Sequence, residues 1–472
     1  MSGAAPVEAP SKWRSEHIWK MPDEVEPVLI VSILLTAMFV TRRKNYSILT
    51  GRKTTSARYS RIQDSSPLDS RDASDSDDSD DNDSYSRRNQ GPNATLVIDG
   101  ADPKYPPKYR RVFGLCTIRT PNSSRFANHF HSRILVKFPF LIEMFYWAIS
   151  FFFYRLTAVL AQVHYGGAKL LWDVGQGHAI SILNLESWLF GTSAIAGKES
   201  SIEYRIQNWF LSGADGGDSR GVWLTILDRG YSLIHIPGTV GFIAFYYWYA
   251  PSFNRFATVR RTMTLLNMCA FCIFLMYPTM PPRFLPAEYG FVDTVNAEDA
   301  QSVWMSGQYV NKLAAMPSMH FGYAFAIGCV FVFESGFIQQ YFSKGKMGFL
   351  FDCEDEEPEE LDDFNGVGAN GSRLSPAPPA PPALPQKSVL SRALFLSYGI
   401  FYPSWILLTI VATANHYFLD AFVAALCGLV ALLANRVLLN FFPLEDYLLW
   451  VLRLEKPQPT TGWRRRKVKS RV

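Results

Sequence analysis

Residues 390–440 decide the fold class, and they read LSRALFLSYGIFYPSWILLTIVA, then TAN, then HYFLDAFVAALCGLVALLANRVLLN. Two long apolar runs flank a short polar break. A helix needs about 20 mainly apolar residues to cross the roughly 30 Å hydrocarbon core of a bilayer, so each run is long enough to span a membrane. The stretch therefore predicts two consecutive transmembrane helices joined by a tight turn.

The same criterion identifies further spans along the chain. The six core spans predicted in this way are 138–163, 229–250, 262–280, 317–337, 390–412 and 416–440. A seventh apolar run, 27–40, is short, and it either crosses the membrane or lies at its surface. We therefore predict an all-α, polytopic membrane helix bundle with six core transmembrane helices and one additional candidate near the N terminus.

Composition agrees with a membrane protein. The 472 residues are 48% hydrophobic but only 19% charged, whereas soluble domains have about a quarter charged residues. Six cysteines are too few for a disulfide scaffold. Cys269 and Cys272 form a C-x-x-C inside an apolar run, where packing is a commoner role than metal or redox chemistry. These features exclude a single soluble domain and a nucleic-acid-binding module.

Polar segments between the apolar runs define the predicted domains. In order, these are an N-terminal segment 1–41, a disordered acidic and Ser-rich linker 42–132, a membrane-embedded core formed by 133–337 and 389–441, a disordered acidic and Pro-rich insert 338–388, and a basic tail 442–472. The linker holds nine aspartates in 64–83, and the insert contains PAPPAPPALP at 376–385. Such compositions cannot bury enough apolar surface to fold alone.

Basic residues near the ends of the spans predict the orientation. Arg255, Arg260 and Arg261 fill the short loop before 262–280, and a basic run ends the chain. Because lysine and arginine concentrate in cytosolic loops close to the membrane, we expect these loops, the long polar segments and the C terminus to be cytosolic. The opposite ends of the spans would then face the lumen.

Three polar segments fall at these non-cytosolic ends. They are the arginine segment 277–286 (YPTMPPRFLP), the His320 segment 314–324 (AAMPSMHFGYA) and the His416 segment 413–421 (TANHYFLDA). Ionisable groups at membrane depth are costly and therefore indicate function by default. Three such segments on one membrane face are harder to obtain by chance than any one of them, so we predict an active site there.

The residue types in these segments suit phosphoryl transfer without a metal. His416 and Asp420 are at i and i+4, so the carboxylate can fix the imidazole tautomer and leave the other ring nitrogen free as a nucleophile. His320 follows a proline at a helix start, where it can serve as acid and base. Arg283 offers a planar fork for phosphate oxygens. Taken singly, each has a structural alternative, such as an arginine that reaches out to lipid head groups.

A known family has motifs similar to these. PPR at 281–283, PSMH at 317–320 and NHYFLD at 415–420 resemble the type 2 phosphatidic acid phosphatase superfamily. Within it they look most like the branch of fungal inositol phosphorylceramide synthases and inositolphosphotransferases. The resemblance covers the core spans within about 138–440, and it does not extend to residues 1–132, to the insert 338–388 or to the tail.

The resemblance implies roles for individual residues. His416 would be the catalytic nucleophile that forms a phosphohistidine, Asp420 its catalytic partner, and His320 the catalytic acid that protonates the leaving oxygen. Arg283 would bind the phosphate, and Ser318 of the same motif as His320 is a second phosphate-binding candidate.

The chain departs from the phosphatase pattern of that superfamily at several positions. Met276 stands where the phosphatases have a lysine, Thr409 and Ile410 replace a serine–arginine pair, and Met319 replaces a glycine. Two phosphate-binding cations are therefore missing. A phosphodiester donor, which carries one negative charge, fits this site better than a dianionic phosphomonoester.

Other polar residues are candidates for substrate binding. The substrate-binding candidates are Tyr231, His235 and Asp293, together with Glu186, Glu203 and Gln207 from the segment 164–228. For each residue taken alone, an ordinary interfacial or packing role is the commoner case. The segment 164–228 is predicted to contain interfacial or re-entrant helices on the active-site side.

The sequence thus predicts a membrane lipid phosphotransferase. It would move a phospho-head group, such as inositol phosphate, from a phospholipid donor to a lipid hydroxyl such as ceramide. A lipid phosphate phosphatase of the same superfamily is the first alternative, and a non-catalytic membrane scaffold is the second. We expect no cofactor, no metal and no nucleic acid, and the family likeness implies a Golgi or ER membrane with the active site facing the lumen.

Overall fold

The computed structural model describes residues 25–50, 105–191, 201–215, 219–231, 235–294, 311–338 and 388–462. The predicted acidic and Pro-rich insert lies almost entirely outside the described residues, as do residues 51–104 of the predicted linker and the basic end of the chain.

The described part of the chain is mainly helical. Its α-helices are α1 Val25–Val40, α2 Phe130–Lys137, α3 Leu141–His164, α4 Ala168–Leu189, α5 Ile202–Asp215, α6 Ser219–Arg229, α7 His235–Tyr249, α8 Phe253–Met276, α9 Met319–Glu334, α10 Val389–Ala412, α11 Phe418–Ala434 and α12 Phe442–Val451. Two strands, β1 Lys108–Val112 and β2 Cys116–Thr120, pair antiparallel as a hairpin.

The chain divides into two compact units. The helical unit comprises Met1–Arg42, Phe138–Phe441 and Gln458–Val472, and the hairpin unit comprises Arg43–Lys137 and Phe442–Pro457. All three segments predicted to form the active site belong to the helical unit.

Four helices are long and apolar enough to cross a membrane within the described residues, which supports an integral membrane protein. They are α3 (Leu141–His164), α8 (Phe253–Met276), α10 (Val389–Ala412) and the helical stretch Phe418–Val451, which includes α11 and α12. The apolar helices Pro27–Val40 and Met319–Glu334 are shorter, and α7 has 15 residues. The number of six core spans therefore stays a prediction, as does a membrane crossing by 27–40.

One predicted span changes geometry along its course, and another is described only in part. Of the predicted span 229–250, residues 229–231 and α7 are described, and residues 232–234 lie outside the described residues. The span 416–440 changes geometry at Asn435, where the α-helix gives way to a 3-10 helix over Asn435–Phe441. The segment 164–228, predicted as interfacial or re-entrant, holds α4, α5 and α6.

Serine side chains define where several of these helices begin. Ser252, Ser318 and Ser388 are the N-caps of α8, α9 and α10, and each hydroxyl oxygen accepts a hydrogen bond from the backbone N–H three residues later. This contact satisfies one of the N–H groups that a helix start leaves without an intrahelical partner. Helix α11 instead begins with a capping box made by Tyr417 and Asp420.

Helices α9 and α10 cross closely at two glycines. A Cβ atom on Gly328 would lie 2.6 Å from the carbonyl oxygen of Gly399, and one on Gly399 would lie 2.8 Å from the carbonyl oxygen of Gly328. Because lipid tails are as apolar as a helix surface, close packing of this kind is a main source of helix association in membranes. The crossing fixes the helix that carries His320 against α10, which leads to the His416 segment.

The arginines used to predict orientation make ion pairs inside the helical unit. Arg260 lies 2.8 Å from Glu143 of α3, and Arg255 lies 3.6 Å from Glu334 at the end of α9. These pairs join three helices at the end of the unit opposite the histidine segments. The cytosolic assignment of this end stays a prediction.

The hairpin unit corrects the predicted disorder of 42–132 for its last part. Residues 105–132 are not structureless, because they form β1, β2 and the start of α2. Arg110 of β1 makes two hydrogen bonds to the carboxylate of Asp446 in α12, at 2.9 and 3.3 Å, and Thr120 donates a third at 2.9 Å. The predicted tail 442–472 likewise begins with a helix that packs on this hairpin.

Candidate active site

Backbone hydrogen bonds join the arginine segment to the two histidine segments. Thr279 and Ala314 form a parallel bridge, in which the Thr279 N–H donates to Leu313 at 2.9 Å and the Ala315 N–H donates to Thr279 at 3.1 Å. This bridge aligns the chain that leads to Arg283 with the chain that leads to His320. The predicted convergence of these two segments is thus present in the fold.

The His416 segment is held to both of the others. The Arg283 N–H donates to the carbonyl of Ala414 at 3.0 Å, and the Tyr417 hydroxyl donates to the carbonyl of Met280 at 3.0 Å. The Ser318 N–H donates to the carbonyl of Asp420 at 3.2 Å. Three segments from separate parts of the sequence therefore form one hydrogen-bonded cluster.

His416 is buried, and its Nδ1 atom faces two acceptors. Nδ1 lies 2.8 Å from the carbonyl oxygen of Ala315 and 3.3 Å from Oδ2 of Asp420. The same Oδ2 accepts a hydrogen bond from the Tyr417 N–H at 3.0 Å, which fixes the carboxylate. Two acceptors at Nδ1 favour the neutral tautomer with its proton there, and this leaves a lone pair on Nε2.

His320 lies beside His416 at the start of α9. The two imidazole centroids are 5.7 Å apart and the rings are inclined by 55°. Tyr231 stacks on His320 with ring centroids 4.2 Å apart, and the His235 ring lies 4.5 Å from the His320 ring. The predicted substrate-binding residues Tyr231 and His235 therefore contact His320, and they restrict the orientations that its ring can adopt.

Arg283 follows the two prolines in a short 3-10 helix over Pro282–Phe284, and its side chain is 7% exposed. The guanidinium lies 3.8 Å from Asp293 and stacks over the ring of Phe284 at 4.7 Å. Its Nε and Nη1 groups are buried and make no hydrogen bond to any described residue. Buried donors are nearly always satisfied in proteins, so these N–H groups are suited to an anionic ligand.

Ser318 has a structural contact in addition to its predicted role. Its hydroxyl oxygen accepts from the Phe321 N–H at 3.2 Å as the N-cap of α9. The side chain is fully buried. A contact between Ser318 and phosphate stays a prediction.

Gln207 and Glu186 bind backbone groups of the site. The Gln207 side chain donates to the Val292 carbonyl at 2.7 Å and accepts from the Val292 N–H at 3.1 Å, next to Asp293. Glu186 accepts from the Leu419 N–H at 2.6 Å, next to Asp420. Both side chains therefore hold backbone groups next to Asp293 and Asp420, and their part in head-group binding stays a prediction.

Two features of the site had not been singled out from the sequence. The first is the carbonyl of Ala315, which carries no side-chain signature. The second is Asp228 near the end of α6, which is almost completely buried. Burial raises the pKa of Asp228 to about 7, although the positive charges of Arg229 and Arg283 lower it. An acidic residue at the edge of a predicted span was the signal for it.

Met276, Thr409 and Ile410 are uncharged, and they stand at the positions where the phosphatases have a lysine and a serine–arginine pair. Met276 is 75% exposed at the end of α8, Ile410 is buried in the core, and the Thr409 hydroxyl donates to the Trp405 carbonyl within α10. Among the described residues there is no group of three or more His, Cys, Asp or Glu side chains that could hold a metal ion.

The cluster thus brings two imidazoles, a carboxylate and an arginine together in a membrane protein. Residues 208–336 match the family model of the PAP2 superfamily, which supports this superfamily for the chain. The match includes the arginine and His320 segments and ends before His416. This match suggests phosphatase or phosphotransferase activity on lipids. Comparison with curated proteins found no match, and comparison with solved structures found none.

Proposed function

We propose that the protein is a membrane lipid phosphotransferase that moves a phospho-head group to a lipid hydroxyl through a phosphohistidine on His416. The observation that carries this proposal is the meeting of His320, His416 and Arg283. The two imidazoles lie 5.7 Å apart, and the Arg283 N–H is bonded to the backbone two residues before His416. These contacts support a nucleophile, an acid and a cation that act on one phosphorus atom.

In the first half of the reaction, Nε2 of His416 attacks the phosphorus of a phospholipid such as phosphatidylinositol. The new N–P bond forms as the bond from phosphorus to the diacylglycerol oxygen breaks, and His320 gives its proton to that oxygen. The unpaired Nε and Nη1 groups of Arg283 bind the non-bridging oxygens, where negative charge develops.

In the second half, the hydroxyl of an acceptor lipid attacks the same phosphorus. The N–P bond breaks, His416 regains its neutral form, and His320 takes the proton from the acceptor hydroxyl. The proton balance closes, because His320 ends the cycle in the state in which it began. Ceramide is the acceptor that the inositol phosphorylceramide synthase likeness suggests.

A lipid phosphate phosphatase uses the same first half and replaces the acceptor lipid with water. The absence of charge at Met276, Thr409 and Ile410 favours the transferase, since a phosphomonoester carries about −1.5 to −2 at pH 7 and a diester carries one negative charge. The transferase is therefore our first choice, and the phosphatase is the alternative that the same assay must separate.

The test uses the purified full-length protein in lipid nanodiscs. One reaction contains phosphatidylinositol labelled in the inositol ring together with ceramide, and a second contains phosphatidic acid labelled in its phosphate. Transfer of the inositol label to ceramide in the first reaction supports the transferase, and inorganic phosphate from the second supports the phosphatase. The absence of both products supports a non-catalytic scaffold. Rapid quenching should also trap protein-bound label that is labile in acid and stable in base, as a phosphoramidate is.

Histidine variants provide the matched comparison. His416→Ala and His320→Ala should each abolish turnover at unchanged protein level. His131→Ala is the control, because His131 is an exposed histidine of α2 that belongs to the hairpin unit. Normal turnover in either active-site variant would refute the assignment.

A further inference from the structure

Two buried glutamates lie near the first turn of α11, which carries Asp420. Glu186 of α4 is 2% exposed and Glu203 of α5 is 1% exposed. Glu186 Oε1 accepts a hydrogen bond from the Leu419 N–H in the first turn of α11, at 2.6 Å. The other oxygen of Glu186, Oε2, and both oxygens of Glu203 are buried. None of these three oxygens accepts a hydrogen bond from an N–H or O–H group of the described residues. The two carboxyl groups lie within hydrogen-bond reach of each other.

Two adjacent buried carboxylates cannot both be ionised at low cost, because like charges repel strongly where water is excluded. The charged groups that face Glu186 are Glu203 from α5 and Asp420 from α11. Both are acidic, so each adds to the repulsion that an ionised Glu186 would meet. Burial first, and the neighbouring Glu203 second, raise the pKa of Glu186 far above its usual value. One retained proton removes the repulsion and forms an O–H···O bond between the two side chains.

We propose that Glu186 and Glu203 share one proton and act together as positioning residues, which hold the first turn of α11 and with it the His416–Asp420 pair. The shared proton lets Glu186 keep one oxygen on the Leu419 N–H while its other oxygen is bonded to Glu203. Asp420 is the next residue after Leu419, so a shift of this N–H moves the carboxylate that contacts His416. The effect on turnover rests on the proposed phosphotransfer function.

Conservative and truncating variants should separate in a defined way. Glu203→Gln supplies an N–H that replaces the shared proton, so we expect kcat within about threefold of wild type. Glu203→Ala and Glu186→Ala remove the contact and should lower kcat about a hundredfold, because a displacement of about 1 Å at a catalytic group costs this much. KM for the donor lipid should change little, since Arg283 is untouched. Loss of activity in Glu203→Gln equal to that in Glu203→Ala would overturn the proposal.

Two measurements test the pair without any turnover. Infrared spectra should contain a carboxylic-acid C=O band from the pair near neutral pH, and Glu203→Gln should remove it. Thermal unfolding gives the second test, because a group whose folded pKa is raised holds its proton longer in the folded state. Stability should therefore fall as pH rises from about 4.5 towards the raised pKa of Glu186, and Glu203→Gln should reduce this fall.

These outcomes separate the two proposals. If no lipid substrate is turned over but the infrared band and the pH dependence are as expected, the carboxyl pair stands and the phosphotransfer function fails. If turnover is found and wild type has no carboxylic-acid band that Glu203→Gln removes, the shared proton is overturned while the function stands. Should Glu203→Ala fail to fold, Glu203→Gln and its infrared band still decide the question.

Discussion

Replacement of Asp420 by asparagine tests how the tautomer of His416 is fixed. In serine proteases, the equivalent change costs about 10⁴ in kcat because the histidine adopts the wrong tautomer. In this protein Nδ1 of His416 has a second acceptor, the Ala315 carbonyl, at 2.8 Å, which is closer than the 3.3 Å to Asp420. We expect the Ala315 carbonyl to keep the proton of His416 on Nδ1 when asparagine replaces Asp420.

The rate that Asp420→Asn loses should therefore come from the missing negative charge, and its size can be bounded. A hydrogen bond to a charged group contributes about 1 kcal/mol more than a neutral one, which corresponds to about fivefold in rate. When His416 is phosphorylated its ring becomes cationic, and a unit charge pair at about 4 Å contributes at most about 4 kcal/mol at an effective dielectric constant of 20. We therefore predict that kcat falls between about fivefold and a thousandfold.

The assay is single-turnover formation of the protein-bound intermediate, followed by steady-state head-group transfer. Asp420→Ala is the comparison, because it also removes the acceptor of the Tyr417 N–H and should destabilise the start of α11 by about 1 kcal/mol. A decrease of 10⁴ or more in Asp420→Asn would show that Asp420 alone fixes the tautomer. A rate within twofold of wild type would show that the carboxylate charge has no part in the reaction.

Three further changes test other parts of the site. Arg283→Lys keeps the charge but loses the planar fork, so kcat/KM for the donor should fall about ten- to a hundredfold, measured by initial rates over a range of donor concentrations. Asp228 should ionise as pH rises through about 7 and place a negative charge near Arg283, so KM for the donor should rise above pH 7 in wild type and stay flat in Asp228→Asn. Gly328→Ala should lower the free energy of unfolding by about 1–3 kcal/mol, because its Cβ would meet the Gly399 carbonyl. Gly241→Ala, whose Cβ meets nothing within 4 Å in α7, is the control in the same denaturation series.

The sequence predicted the meeting of the three polar segments because topology alone brings the ends of consecutive spans to one membrane face. The i, i+4 spacing of His416 and Asp420 predicted their contact, and the structure has it at 3.3 Å. The role of Glu186 could not be predicted, because its partner is a backbone N–H that lies 233 residues further along the chain. Backbone partners have no residue type that a sequence pattern can reveal.

The hairpin unit shows a different reason for failure. The strand Lys108–Val112 reads KYRRV, and its basic residues made the segment look like part of a polar linker. Its partner charge is Asp446, which lies 336 residues away from Arg110 in sequence and satisfies two of its N–H groups. Because the carboxylate that binds Arg110 lies so far away in sequence, the local composition of 108–112 does not indicate a strand.

The balance of charge around Arg283 gives a physical reason for the proposed donor class. Arg229 lowers the pKa of Asp228 more than Arg283 does, and Asp293 is an anion that lies 3.8 Å from Arg283. A phosphodiester carries one negative charge and can replace this loose contact with direct hydrogen bonds to the buried Nε and Nη1 groups. A phosphomonoester would bring a second negative charge into a site where Met276 stands in place of a cation. The charge of the ligand, more than its shape, should therefore separate head-group transfer from phosphate hydrolysis at this centre.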